Sequence, residues 1–113
     1  MSEMTLINLT PHQICIWRKG EKILTLPSRG VARAYSKEDN LGVLEESSGV
    51  NIPLFSTCFG KVTGLPKQKP GVGYVVSRTV AEQARNRFDL FVPGHPVRDG
   101  EGVIIGCECL MRL

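Results

Sequence analysis

The chain has 113 residues, a net charge of +3, 42% hydrophobic residues and 22% charged ones. That length predicts one domain whose core needs no disulfide or metal staple, and the composition excludes a disordered chain. The charge is too mild, and its fourteen Lys and Arg too scattered, for a committed nucleic-acid binder, which concentrates them in a run or stripe. A small anionic ligand met by a few arginines fits this balance better.

Twelve Gly and seven Pro punctuate short β-rich runs. Met4 to Leu9 predicts a first strand, Asn8 to His12 a bend, and Gln13 to Trp17 an alternating second strand. Arg18-Lys-Gly-Glu-Lys22 predicts a hairpin turn into Ile23 to Leu26, and Pro27-Ser-Arg-Gly30 turns again before Val31 to Tyr35. Ser36 to Gly42 is polar and predicts a loop, with further short strands at Val43–Leu44, Val50 to Phe55 and Phe59 to Val62. Gly64 to Gly73 carries too many breakers to be anything but a loop.

Tyr74 to Ser77 is a short apolar strand, and the residues after it have helical composition over about ten positions. Val80, Ala81, Ala84 and Phe88 supply the buried side. Ser77 fits an N-cap, and Thr79-Val-Ala-Glu82 fits a capping box, so the helix begins within two residues of Ser77. Asp89 to Pro93 returns as a strand, which makes a βαβ crossover with parallel strands. In that arrangement Ser77, Arg78 and the loop Pro93 to Asp99 share one sheet edge, where ligands favour open α/β sheets and a helix start favours anions. Asp99-Gly-Glu-Gly102 then closes a hairpin into Val103 to Cys109. The fold class expected is α+β: a twisted, mostly antiparallel sheet or partial barrel with one helix.

Met1 to Thr10 lacks the basic region and apolar core of a signal peptide, and no apolar run approaches the roughly 18 residues of a membrane helix. A cytoplasmic protein with reduced cysteines is therefore expected. Cys15, Cys58, Cys107 and Cys109 form no C-x-x-C knuckle, so buried thiols are expected rather than a metal site, and no cofactor is implied. The Pro70-Gly-Val-Gly73 element lacks the Gly-Lys-Ser/Thr ending of a phosphate-binding loop.

Several motifs recur together. Asn8-Leu-Thr-Pro-His12 is followed by Pro27-Ser28 with Gly30 and Arg33, then Phe59-Gly60 through Pro66, Pro70-Gly71, Val76-Ser77, and the long tail Asp89 to Cys107. Over nearly its whole length the chain resembles a family of small phage and prophage proteins, in whose pattern position 95 varies. The resemblance implies a phage accessory protein acting in the host cytoplasm. Small phage proteins with pockets for anions are in turn similar, as a group, to inhibitors of bacterial immune signalling. Such proteins sequester nucleotide second messengers, commonly as homo-oligomers with pockets between subunits.

The candidate ligand-binding residues are His12, Arg33, Ser77, Arg78 and Arg98. His12 can donate to a phosphate or carry a proton near neutral pH; alternatively it only fixes its turn. Arg98 can fork onto a phosphate, or bridge structurally to Asp99, Asp89 or Glu101. Arg78 at a helix start is unfavourable by about 0.3–1 kcal/mol, a conflict a bound anion relieves. Lys67 and Lys69 are solvated charges that can steer an anion. Tyr74, Tyr35 and Trp17 can stack on a base, or serve as core and cross-strand partners. A hydrolase would use His12 or His95 with Asp89 or Asp99. Triads Ser77–His12–Asp99 and Ser77–His95–Asp89 can be drawn, but no G-x-S-x-G elbow supports them. A third reading is a protein-interaction module that inhibits a host protein or supports virion assembly through an exposed edge strand.

Overall fold

The computed structural model describes residues 3–113. Its strands are β1 (Thr5–Asn8), β2 (Ile14–Arg18), β3 (Glu21–Leu26), β4 (Arg33–Glu45), β5 (Asn51–Thr63) and β6 (Val72–Val75), then, after helix α1 (Arg78–Gln83), β7 (Leu90–Arg98) and β8 (Ile104–Met111). Six strands form one mixed sheet in the order β1-β6-β7-β8-β2-β3, while β4 and β5 pair only with each other. Asn8 at the end of β1 bridges to Ser28 just beyond β3, so the two ends of the sheet come together and the sheet nearly closes. The fold is thus α+β, a twisted partial barrel with one helix. Most of its paired length is antiparallel. The parallel junctions are β1–β6, β6–β7 and the single pairing of Ile16 with Cys107 between β2 and β8.

The β6–α1–β7 crossover forms as expected, with Tyr74 and Val75 registered against Leu90 and Phe91. Ser77 is the N-cap, its Oγ accepting from the Val80 amide at 3.4 Å. The helix has six residues rather than about ten, and Glu82 turns to Arg78 at 3.1 Å instead of completing a capping box. Because the helix ends at Gln83, its buried stripe stops at Ala84, and Phe88 is exposed rather than buried. Val80, Ala81 and Ala84 pack with Leu9, Val76 and Leu90 in the core. Each fully buried valine there contributes roughly 1.5–3 kcal/mol.

The largest departure from expectation is β4 and β5. Ser36 to Gly42 is not a loop, and the three short runs are not separate: two 13-residue strands form one hairpin arm closed at Glu46 to Gly49. A strand exposed on both faces carries no apolar alternation, so its middle reads as polar loop. The Glu46 carboxylate accepts from the Ser47 hydroxyl and from the Ser48 amide and hydroxyl, which hold its pKa down at about 2. The arm stretches the molecule to 57 × 39 × 22 Å, with a radius of gyration of 18.1 Å. A compact chain of this length has about 13 Å.

A second departure concerns the tail. Pro93 to Arg98 is not a loop over the helix start but the continuation of β7, held by antiparallel pairing to β8 from Val92–Met111 to Arg98–Ile104. His95 sits within it at φ 50°, a left-handed conformation unusual for a non-glycine residue. Beyond Arg98 the expected turn forms, with Asp99 Oδ1 accepting from the Glu101 and Val103 amides and Gly102 at φ 82°.

Where β8 meets β2, packing is close enough to require glycine. A Cβ on Gly106 would lie 2.5 Å from the Cys15 carbonyl oxygen and from the Trp17 indole. Trp17 Nε1 is buried there without a hydrogen-bond partner. Gly106→Ala is therefore expected to lower stability by about 1–3 kcal/mol, because strand or indole must shift. Urea unfolding checks this as a lowered midpoint at unchanged slope.

Candidate functional site

A cleft of about 270 Å³ opens where the arm leaves the barrel, between the base of the hairpin, the bend after β1 and the start of α1. The bend is fixed by Asn8. Its amide nitrogen donates to the carbonyls of His12 at 2.8 Å and Leu26 at 2.9 Å, while its Oδ1 accepts from the Thr10 amide and hydroxyl. Ser28 Oγ donates to the Thr10 carbonyl at 2.6 Å, which ties the Pro-Ser-x-Gly turn to the same bend. The backbones of Leu9 and Ala32 are joined by a 3.0 Å bond, and this places the following residues, Arg33 and Ala34, at the cleft. Gly64 lets the returning strand pass close to Val31: at φ 79°, its Cβ would meet the Val31 carbonyl oxygen at 2.5 Å.

Leu9, Val31, Ala34 and Phe59 give the cleft its apolar wall, and Thr10, Arg33, Ser77 and Thr79 its polar groups. Arg33 forms no ion pair among the described residues. The Ser77 hydroxyl accepts from Val80 and keeps its own proton to donate. The Thr10 hydroxyl spends its proton within the bend, which leaves a guanidinium, the Ser77 and Thr79 hydroxyls and one aromatic ring on a concave surface that can together take an anion attached to a planar group.

Of the residues singled out in the sequence, Arg33 and Ser77 line the cleft. His12 follows the lining residue Pro11; its side chain is exposed, and its carbonyl accepts from Asn8 and Thr10. Arg78 adjoins Ser77, but its guanidinium is engaged with Glu82, an i,i+4 pair that answers the repulsion expected at a helix start without any ligand. Arg98 is outside the cleft lining and donates to the Gly102 carbonyl at 2.8 Å, bracing the β7–β8 turn. No carboxylate bridge to it is present among the described residues. Thr79 and Phe59 had no chemical signal in the sequence. Thr79 lies two residues past the Ser77 cap, and Phe59 heads the Phe-Gly motif.

The carboxylates considered for catalysis are occupied elsewhere. Asp89 accepts two bonds from Arg87, at 2.8 and 2.7 Å, and Asp99 serves its turn. No hydrogen bond joins the members of either drawn triad among the described residues. Cys15 and Cys107 are buried, Cys109 is half-buried, and Cys58 on the arm is exposed, against the expectation of burial. Burial pushes the Cys107 thiol above its ordinary pKa, which leaves it a poor nucleophile. Among the described residues no group of three or more His, Cys, Asp or Glu is placed to hold a metal ion, and no helix is long and apolar enough to cross a membrane. No protein-family model matches the chain, and neither a curated protein nor a solved structure does.

Proposed function

We propose that this protein binds a nucleotide-derived anion in the cleft at the base of the arm and holds it uncleaved. In the phage context implied by its motifs, that makes it a sponge for a host defence signal. The observation that carries this reading is Arg33, which forms no ion pair among the described residues and shares the cleft with the Ser77 and Thr79 hydroxyls and the Phe59 ring. The guanidinium with the Ser77 and Thr79 hydroxyls takes a phosphate, and the apolar wall with Phe59 takes the base. His12 and Arg78 stand at the flanks, and Arg98 is left to its turn. At about 270 Å³ the cleft lies just under the range of about 300–1,000 Å³ usual for small-ligand sites, which suits one mononucleotide unit of the ligand. Hydrolysis has less support, because Asp89 is paired with Arg87 and Asp99 holds the β7–β8 turn.

The test begins by mixing the protein with cyclic dinucleotides and ADP-ribose derivatives, removing unbound ligand, denaturing, and identifying what is released by mass spectrometry. An intact nucleotide is expected, whereas a cleaved product would make the protein a hydrolase, and nothing retained would sink the reading for those compounds. For a retained ligand, Arg33→Ala is expected to weaken binding by about tenfold to a hundredfold, the loss of one charge-assisted contact worth about 1.5–3 kcal/mol. Calorimetry with Arg98→Ala should give affinity within about twofold of the parent. Equal binding by Arg33→Ala would remove the cleft from consideration.

A further inference from the structure

The cleft accounts for the base of the arm and leaves its length unexplained. Thirteen residues per strand extend about 43 Å, and a two-stranded ribbon by itself is marginally stable at best in water. Side chains alternate along β5, so Pro53, Phe55 and Phe59 lie on one face and Ile52 and Leu54 on the other. Val43 pairs with Pro53 and joins the first face, while Leu44 pairs with Ile52 and joins the second. Val43, Leu44, Ile52, Phe55 and Phe59 are 43 to 62% exposed. Apolar side chains in water on both faces of the ribbon, Val43, Phe55 and Phe59 on one and Leu44 and Ile52 on the other, mark surfaces that are covered in use.

Charge identifies what covers it. Over the outer arm, residues 36–59, Lys37 stands against Glu38, Asp39, Glu45 and Glu46, a net charge of −3 that leaves +6 on the rest of the chain, with Arg33 and Lys61 at the arm's base. Arm against arm would bring like charges together. Arm against barrel brings opposite charges together, and the barrel offers a receiving edge. β3 pairs only with β2, and its Ile23 and Leu24 are each 45% exposed beside a stretch in which Arg18, Lys19 and Lys22 outnumber Glu21.

We propose that the β4–β5 arm docks on the barrel of a second copy of this chain, at the basic, apolar β3 edge, in a reciprocal arm exchange. This assignment is independent of the ligand reading: apart from Phe59, which also lines the cleft, it uses the outer arm.

Sedimentation velocity of the full chain is expected to give twice the 12.4 kDa monomer mass or a multiple of it. The paired substitution Leu44→Ser with Phe55→Ser should raise the dissociation constant at least tenfold. The circular dichroism spectrum and the unfolding transition of the barrel should be retained, because both side chains are already in water in the monomer. Glu38→Lys with Glu45→Lys should weaken assembly comparably without removing apolar surface. Geometry is read by mixing ¹⁴N and ¹⁵N copies and applying a zero-length carboxylate–amine cross-linker. Mixed-isotope peptides joining residues 38–46 to Lys19 or Lys22 support the exchange. A monomer at about 100 µM would overturn the proposal, including one that binds lipid vesicles or a host protein through the arm. Assembly unaffected by both paired variants would do so as well.

Discussion

Replacing Arg87 with alanine is expected to cost about 3–5 kcal/mol of stability, the usual penalty for orphaning one half of a buried ion pair. Asp89 lies in the core wall next to Leu90, almost wholly buried, and both its oxygens accept from Arg87. The guanidinium also donates to the Pro66 carbonyl at 2.9 Å, so one side chain anchors the loop before β6 to the return from α1. Without it, an ionised carboxylate stays in the core with no partner. The pH dependence separates this mechanism from lost packing. Arg87 holds the Asp89 carboxyl below its ordinary value, so the parent has the pair's stability fully at neutral pH. It loses that stability as pH falls below about 4 and through the folded value. In Arg87→Ala burial becomes the largest influence on Asp89, ahead of a backbone hydrogen bond, and favours the neutral acid. The stability gap between parent and variant should therefore be widest near pH 7 and narrow steadily toward pH 3. Urea midpoints across that range measure it. A gap constant with pH would mean that packing, not charge, carries the loss.

What the sequence disclosed about the fold follows how locally each signal is encoded. Ser77 is legible as a cap because an N-cap needs only one short side chain and the next three amides. The β2–β3 turn is legible because Lys19 and Gly20 both take positive φ, at 50° and 79°, and glycine there marks a hairpin. The arm was hidden because its partner strand lies across the turn at Glu46 to Gly49, and neither strand has a consistently buried face to impose a period of two. Pro93 and Pro96 misled in the opposite direction. Each lacks an amide proton and reads as a breaker, yet β8 keeps pairing with β7 across both positions. The consequence reaches the site. With β7 running on beside β8, Arg98 lies seven residues past the pairing with β6 at Phe91, at the far end of the strand.

The cleft shows a similar division. Arg33 and Ser77 were accessible to sequence reasoning because a charge after a turn and a serine before a helix are conspicuous in one dimension. Thr10, Phe59 and Thr79 come from three separate segments, and only the bond network around Asn8 and the crossing at Gly64 gathers them. Arg78 was conspicuous for a reason the fold removes, since Glu82 one turn later neutralises it.

Asn8→Ala should therefore damage both fold and site. Asn8 is 1% exposed and uses both ends of its amide: two donations to the His12 and Leu26 carbonyls, two acceptances from Thr10. Alanine leaves the Leu26 carbonyl buried without that donor, and exposes the bend's remaining groups to competition from water. At about 1–3 kcal/mol for each buried group left unsatisfied, with water relieving the outer ones, the expected loss is about 2–4 kcal/mol. Asn8→Asp keeps the acceptor for Thr10 but sets an anionic oxygen against two carbonyl oxygens, so it should be at least as destabilising at neutral pH. That ordering distinguishes a hydrogen-bond role from simple space filling, for which the near-isosteric aspartate would be the milder change. Chemical unfolding of the three proteins gives the order directly. Because Asn8 also sets Thr10 at the mouth of the cleft, Asn8→Ala that remains folded at low temperature should bind its ligand more weakly than the parent. Affinity unchanged in that folded variant would place the ligand's contacts on Arg33 and the arm base alone, with the bend serving only to close the barrel.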